Sequence, residues 1–312
     1  MINGSKLSSI LNFLLIMLLI TCCSESGTTG PSDNNQPEIT GAYLGQTPPG
    51  AAPQLFAPVV FTEANELHSN VVFSPYGQEV FWTLMDGYPS EILHMKLENG
   101  TWTAPATAPF NSQFGTLDPS FSPDGNRVFF MSWASASGNS AASKENIWFV
   151  EREGNGWGQP QMLGNEVNYL DVHWQVSVAS NGTLYFAGSN GANTGGIWFS
   201  EFIDGQYTQA QFMGDAINTG SYEGTPFIAP DESYLMFSSH RGGNTNADLF
   251  ISFKNEDGTW SQAQNMGSSI NTAGHELYAI VSGNSEYLFF LSSRTGILRA
   301  YWMDAEIIET FR

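Results

Sequence analysis

Five times between Glu66 and Trp302, a run of alternating polarity gives way to a tight turn and then to a nearly continuous apolar run. The turns are Ser74-Pro75-Tyr76-Gly77, Ser122-Pro123-Asp124-Gly125, Ala179-Ser180-Asn181-Gly182, Ala229-Pro230-Asp231-Glu232 and Ser282-Gly283-Asn284-Ser285. Pro, Asp, Asn and Gly tolerate tight-turn dihedrals. The runs that follow, such as Val128-Phe129-Phe130 and Leu288-Phe289-Phe290, have the β-branched and aromatic character of buried strands. Each turn therefore predicts a hairpin. A second signal follows in four copies, Asn99-Gly100-Thr101-Trp102, Asn155-Gly156-Trp157, Asp204-Gly205-Gln206-Tyr207 and Asp257-Gly258-Thr259-Trp260, where a hairpin turn precedes an aromatic that opens another strand. A third signal, Leu163-Gly164 to Asn168, Met213-Gly214 to Asn218 and Met266-Gly267 to Asn271, links the fourth strand of one unit to the first strand of the next.

The units begin near residues 66, 114, 171, 222 and 275. Four antiparallel strands recurring at this spacing predict an all-β fold, a β-propeller whose radial blades leave only short, protected edges. The last unit offers strands at Leu277 to Val281, Tyr287 to Leu291 and Arg299 to Asp304 but no fourth. Gln54 to Val60 reads as the missing strand, so the N-terminal part of the ring should pair with the last blade and remove its open edge. The interval from Glu38 to Glu66 is too short for a sixth unit, which sets the number of blades at five.

The stretches FSPDGNRVFFMS, IAPDESYLMFSSHRGGNTNADLFIS and NEDGTWSQAQNMGSSIN are similar to the TolB-type, WD-repeat-like β-propeller repeats of bacterial envelope proteins, over Glu66 to Trp302. The resemblance implies the propeller fold. It does not select a function, because such rings serve binding, peptidase gating and scaffolding alike. The sequence departs from the envelope-translocation member in lacking a separate N-terminal α/β domain, so that member's role is not expected to transfer directly.

Aligning the five units places His68, Thr116, His173, Glu223 and Glu276 at one equivalent position, just before the innermost strand, with Asn70, Asp118, Gln175, Thr225 and Tyr278 two residues on. The first set, with Asp118, supplies the candidate ligand-binding residues of the channel mouth. As polar groups where strands emerge, they are expected in water. Two His and two Glu around an axis are also ordinary ligands for a divalent cation. No short two-His motif accompanies them, however, and the expectation is of no metal and no cofactor. The acids Asp118, Asp171, Glu223 and Glu276 keep a glycosidase open as the alternative, since that chemistry needs two carboxylates facing one sugar. The Asp-Gly-Thr-Trp turn at Asp257 is not a sialidase Asp-box, and no Gly-x-Ser-x-Gly elbow or phosphate-binding loop occurs. Trp102, Trp157, Tyr207 and Trp260 recur at a fixed outer position and read as packing, while the Ser239 to Gly243 loop reads as a structural turn that presents one cation.

Charge narrows the partners. Ten Lys and Arg against 30 Asp and Glu give a net charge of −20, which excludes a nucleic-acid partner because no basic stripe exists to displace counterions from phosphates. A neutral or cationic partner is favoured, whether an envelope protein or a small ligand, bound by a monomeric propeller.

The first residues read as an address. Lys6 precedes the nearly unbroken apolar run Ile10 to Ile20, with no acid before Glu25. That run is shorter than the roughly 20 residues a membrane-spanning helix needs, and residues 1–22 read as a signal peptide. Leu19-Ile20-Thr21-Cys22-Cys23-Ser24 resembles a bacterial lipobox, which implies lipidation of Cys22 or Cys23, the only cysteines in the chain. Residues 23–38 form a polar tether and residues 39–312 the propeller. The expectation is thus a noncatalytic binding or scaffold lipoprotein of the bacterial cell envelope, facing periplasm or cell surface, with a carbohydrate-active enzyme as the alternative.

Overall fold

Each of the five predicted turns closes on itself through the same bond, from the amide of the fourth residue to the carbonyl of the first: Gly77 to Ser74, Gly125 to Ser122, Gly182 to Ala179, Glu232 to Ala229 and Ser285 to Ser282, at 2.7–2.9 Å. The fourth residue is left-handed in all five, including the two that are not glycine, Glu232 (φ 61°) and Ser285 (φ 61°). In a computed structural model, which describes residues 38–312 apart from 65, 86, 88, 192–194 and 244, these turns join the first and second strands of five antiparallel blades. The signal peptide, Cys22, Cys23 and all but the last residue of the tether lie outside the described residues.

The first three strands of the blades are, in order, Val72–Phe73, Glu79–Thr83 and Ile92–Glu98; Thr116–Phe121, Arg127–Ala134 and Ala141–Glu153; Val172–Val178, Leu184–Ser189 and Gly196–Ser200; Glu223–Ile228, Tyr234–Ser239 and Asp248–Phe253; and Glu276–Val281, Tyr287–Ser292 and Arg299–Asp304. The fourth strand is short throughout. In blades 1 and 2 it is split, so that Thr101–Trp102 and Ala106–Thr107 pair with different halves of Ile92–Glu98. The third strand of blade 2 is much longer than the expected Asn146 to Val150, because the hairpin runs on to the pair Ala134–Ala141. The outer turn of that blade also lies one residue earlier than expected, at Gly154-Asn155, with Gly156 opposite Glu153.

Gln54–Leu55 completes blade 5, antiparallel to Tyr301 and Trp302, and the Phe56 amide adds a bond to the Ala300 carbonyl (2.8 Å). The strand is shorter than Gln54 to Val60, since the left-handed Ala57 (φ 39°) turns the chain away. Closure nevertheless reaches further than the strand. Phe56 is fully buried against Phe289 and Trp302 at ring distances of 5.1 Å each. Tyr43 packs between Phe73 of blade 1 and Tyr287 of blade 5, and Trp102 bonds back to Ile39 and Gly41.

Apolar residues collect between neighbouring blades, as in Phe81, Phe110 and Phe130 between blades 1 and 2, or Met236, Ile251 and Phe290 between blades 4 and 5. The Asn that ends each inter-blade link fastens this packing. Asn168 accepts from the Ile147 amide (2.8 Å) and donates to the carbonyls of Ile147 (3.0 Å) and Leu163 (2.9 Å). Asn218 treats Ile197 and Met213 the same way, Asn271 bonds both backbone groups of Leu249, and Asn111 both of Ile92. Each amide side chain thus stands in for one residue of a fourth strand.

Asn168→Ala should strand a buried N–H and carbonyl of Ile147 and lower stability by about 2–4 kcal/mol. Urea unfolding of the variant measures this, and a loss below about 1 kcal/mol would show that the side chain is dispensable to the ladder.

Candidate functional site

The innermost strands enter from the face that carries the inter-blade links, here the loop face, and leave at the five hairpin turns, the turn face. In four blades the inner strand slips register, between Leu117 and Ser120, Trp174 and Val176, Gly224 and Phe227, and Leu277 and Ile280. The second column of the sequence alignment falls in these bulges. Asp118 (φ 53°), Gln175 (φ 28°), Thr225 (φ 45°) and Tyr278 (φ 54°) all adopt left-handed backbone, which costs a non-glycine residue about 1 kcal/mol or more.

Bonds across the axis hold this geometry in place. The Gln175 amide donates to Asp118 Oδ2 (3.4 Å), and the Tyr278 amide donates to Thr225 Oγ1 (3.1 Å). Asn70 Nδ2 donates to the Tyr278 carbonyl (2.7 Å), the Tyr278 hydroxyl donates to Asp118 Oδ1 (3.4 Å), and His68 Nδ1 lies 3.2 Å from the same oxygen. Every blade contributes to the collar. Its centre is a fully buried carboxylate, Asp118, with the partly exposed His68 beside it as an ion-pair partner whenever the imidazole is protonated.

The first column behaves differently. Thr116, His173, Glu223 and Glu276 are all fully buried rather than in water, because their side chains turn back between blades. Glu223 accepts from Thr219 Oγ1 (2.6 Å), Ser239 Oγ (3.1 Å) and Arg241 (3.2 Å). Glu276 repeats the arrangement with Thr272 Oγ1 (2.7 Å) and Ser292 Oγ (2.6 Å), and with Arg294 at 3.8 Å. Thr116 donates to Asn111. The His173 ring nitrogens lie 3.2 Å from the carbonyls of Glu145 and Val167, and burial presses its pKa down to about 4. Of the six candidates, only His68 and Asp118 meet at the axis. The Ser239 to Gly243 loop does not offer its cation, since Arg241 is bound to Glu223 and the Ile217 carbonyl and lies over Phe237 and Phe250.

Residues outside the alignment complete the mouth. Tyr222, 36 % exposed and itself left-handed, packs at a tilt against Trp174 (5.8 Å) and edge-on to His240 (5.7 Å). Burial and then the Asp118 charge raise its pKa. Burial raises the Glu145 carboxyl, and the charge of Asp118 adds to the shift. Sequence reasoning missed Glu145 because it lies on the extended third strand of blade 2, which has no counterpart in the other units; an aromatic beside the Glu223 position was the available sign for Tyr222.

No family model matches the chain, and no curated protein matches its sequence. Among solved structures the fold is similar to a protein of Agrobacterium tumefaciens assigned as TolB, at 16% identity over 77% of each chain with a TM-score of 0.52. It is likewise similar to an endo-arabinase from Bacteroides thetaiotaomicron, at 11% identity over 83% of this chain and 97% of that one, also with a TM-score of 0.52. The class these comparisons define is the β-propeller, here with five blades.

Burial is the largest influence on His68 and opposes its charge, but the hydrogen bond and negative charge of Asp118 together outweigh it and raise the pKa above 6.5. The stabilisation from His68 is therefore complete below pH about 6.5 and is lost as pH rises through the folded pKa. His173 is opposite: its stabilisation is present above pH about 6.5 and is lost as pH falls toward about 4. NMR titration of the histidines should show both shifts, with His68 falling to or below its ordinary value in Asp118→Asn; an unchanged His68 would break the pairing.

Proposed function

We propose that the protein is a noncatalytic binding propeller of TolB-like kind, held at a bacterial envelope membrane by a lipid on Cys22 or Cys23, and that its loop-face mouth binds a neutral or cationic partner. The observation that carries the binding reading is the engagement of the acids. Of the four candidate acids, Glu223, through Oε1, and Glu276 are held by serine, threonine and arginine partners inside the wall, Asp171 is exposed just before the strand Val172–Val178, and Asp118 lies at the axis. A glycosidase needs two carboxylates about 5–9 Å apart that both reach the substrate, whereas Asp118 is sealed beneath His68 and Tyr278. What reaches solvent at this end is His68 and, in contact with each other, Tyr222 and Trp174. Aromatic faces backed by a buried negative charge suit a cationic group on an apolar body. Carbohydrate hydrolysis is the second reading, favoured by one observation: burial raises the Glu145 pKa in the direction a general acid requires.

Immobilised full-length protein, exposed to native envelope extract, should retain a partner that His68→Ala and Tyr222→Ala each release at least about fivefold, with rising salt weakening capture. Equal capture by wild type and both variants contradicts the mouth as the binding surface. Turnover of glycans, linear arabinan included, that Asp118→Asn or Glu145→Gln abolishes would replace the binding reading with the hydrolytic one.

For the anchor, mass spectrometry of the processed protein should find a diacylglyceryl-modified cysteine, Cys22 or Cys23, at the mature N-terminus. A mature chain beginning beyond Cys23 without lipid, or one retaining Met1, would remove the lipoprotein assignment.

A further inference from the structure

Below the collar the axis opens again, toward the turn face, as a cavity of about 270 Å³. Every blade supplies an apolar wall residue from the end of its inner strand: Phe73, Phe121, Val178, Phe227 and Ile280. Four of these are only partly buried, with Val178 the exception, so much of the lining presents apolar surface to the space. Among the described residues no Asp, Glu, Lys or Arg lines the cavity, in a chain whose net charge is −20.

Its inner end is marked by Gln175. This residue is 4 % exposed, its backbone is left-handed, and its amide is committed upward to Asp118. The side-chain oxygen Oε1 is buried without a hydrogen-bond partner. Ser177, also on the wall, already accepts from the Ile228 amide (2.9 Å). A buried carbonyl oxygen without a donor is unfavourable, and the serines that share the lining, Ser120, Ser122, Ser177, Ser180, Ser282 and Ser285, leave it without one. At the outer rim, beside the lining residue Pro75, Tyr76 is 79 % exposed.

We infer that the turn face holds a second binding site, for a small neutral aromatic molecule that carries one N–H or O–H donor, with the ring among the five apolar walls and the donor on Gln175 Oε1. The absence of charged lining residues selects a neutral ligand, the apolar walls select the ring, and the unpartnered oxygen selects the donor. The collar separates this site from the loop-face mouth, so either reading can fail without the other.

Indole has the required shape and donor, and indene has the same shape without the donor. Saturation-transfer NMR and calorimetry with the full chain should show saturable indole binding, stronger than that of indene. Gln175→Met preserves side-chain volume and should weaken indole about fivefold to tenfold while leaving indene within about twofold. Val281→Trp, at a lining position, should fill the space and abolish both. Circular-dichroism melting confirms that each variant is folded, and comparison within one preparation cancels partition elsewhere. Absence of saturable indole binding, or binding unchanged in folded Val281→Trp, would overturn the site. Equal losses of indole and indene in Gln175→Met would overturn the role of the amide oxygen. If Val281→Trp fails to fold, Ser285→Trp at the rim of the same cavity provides the blocking variant, with the same outcomes.

Discussion

The ring depends on how five inner strands meet at an axis too narrow for five regular strands to present side chains at the same level. A bulge in four of them relieves the crowding, and it does so by placing one residue in left-handed backbone and taking its amide out of the ladder. Those amides are buried and must find acceptors. Asp118 receives the Gln175 amide and Thr225 receives the Tyr278 amide, so the strain in one blade is held by a side chain from another. The collar is consequently cooperative: loss of the Asp118 carboxylate removes the acceptor for blade 3, the hydroxyl contact of blade 5 and the charge partner of blade 1 at once.

This constraint explains why so much of the architecture was legible in the sequence and so much of the site was not. Turns such as Ser122-Pro123-Asp124-Gly125 carry their own dihedral requirements in their composition, and the Gly-to-Asn links announce a repeated role even before its nature is known. The missing fourth strand of the last blade likewise pointed to Gln54. The bulges leave no such trace. Asp118, Gln175, Thr225 and Tyr278 share neither size nor charge, because each is fitted to a different neighbour across the axis rather than to a common local rule. The alignment therefore brought Glu223 and Glu276 to the right end of the strand but could not show that Thr219, Ser239 and Arg241, or Thr272, Ser292 and Arg294, draw them into the wall.

Those staples also determine the field outside the protein. Eight of the nine described Lys and Arg side chains lie within ion-pair distance of a carboxylate, from Lys96 and Arg152 on Glu79 to Arg299 on Glu63, and the ninth, Lys144, is bonded to the carbonyls of Asn168 and Leu170. The cations are thus engaged inside the fold, mostly within single blades, with Arg152 reaching Glu79 of the neighbouring blade. The excess acids face water with few neighbouring positive charges, so the negative potential reaches an approaching partner with little local compensation.

Within that field the two ends of the axis differ in kind. At the loop face, Asp118 lies behind His68 and Tyr278, so a cation held by Tyr222 and Trp174 would sense a negative charge it cannot fully neutralise by contact. The low-dielectric wall strengthens that attraction and salt reaches it only from outside. At the turn face the lining is neutral, and the potential of the whole molecule cannot discriminate among uncharged molecules; shape and one carbonyl oxygen must do so. Gln175 joins the two regimes, its amide committed to the charged side and its side chain to the neutral one. A ligand that draws on Oε1 therefore pulls on the same residue whose backbone geometry Asp118 maintains, and the strained bulge gives the two ends a physical connection without any element having to move far.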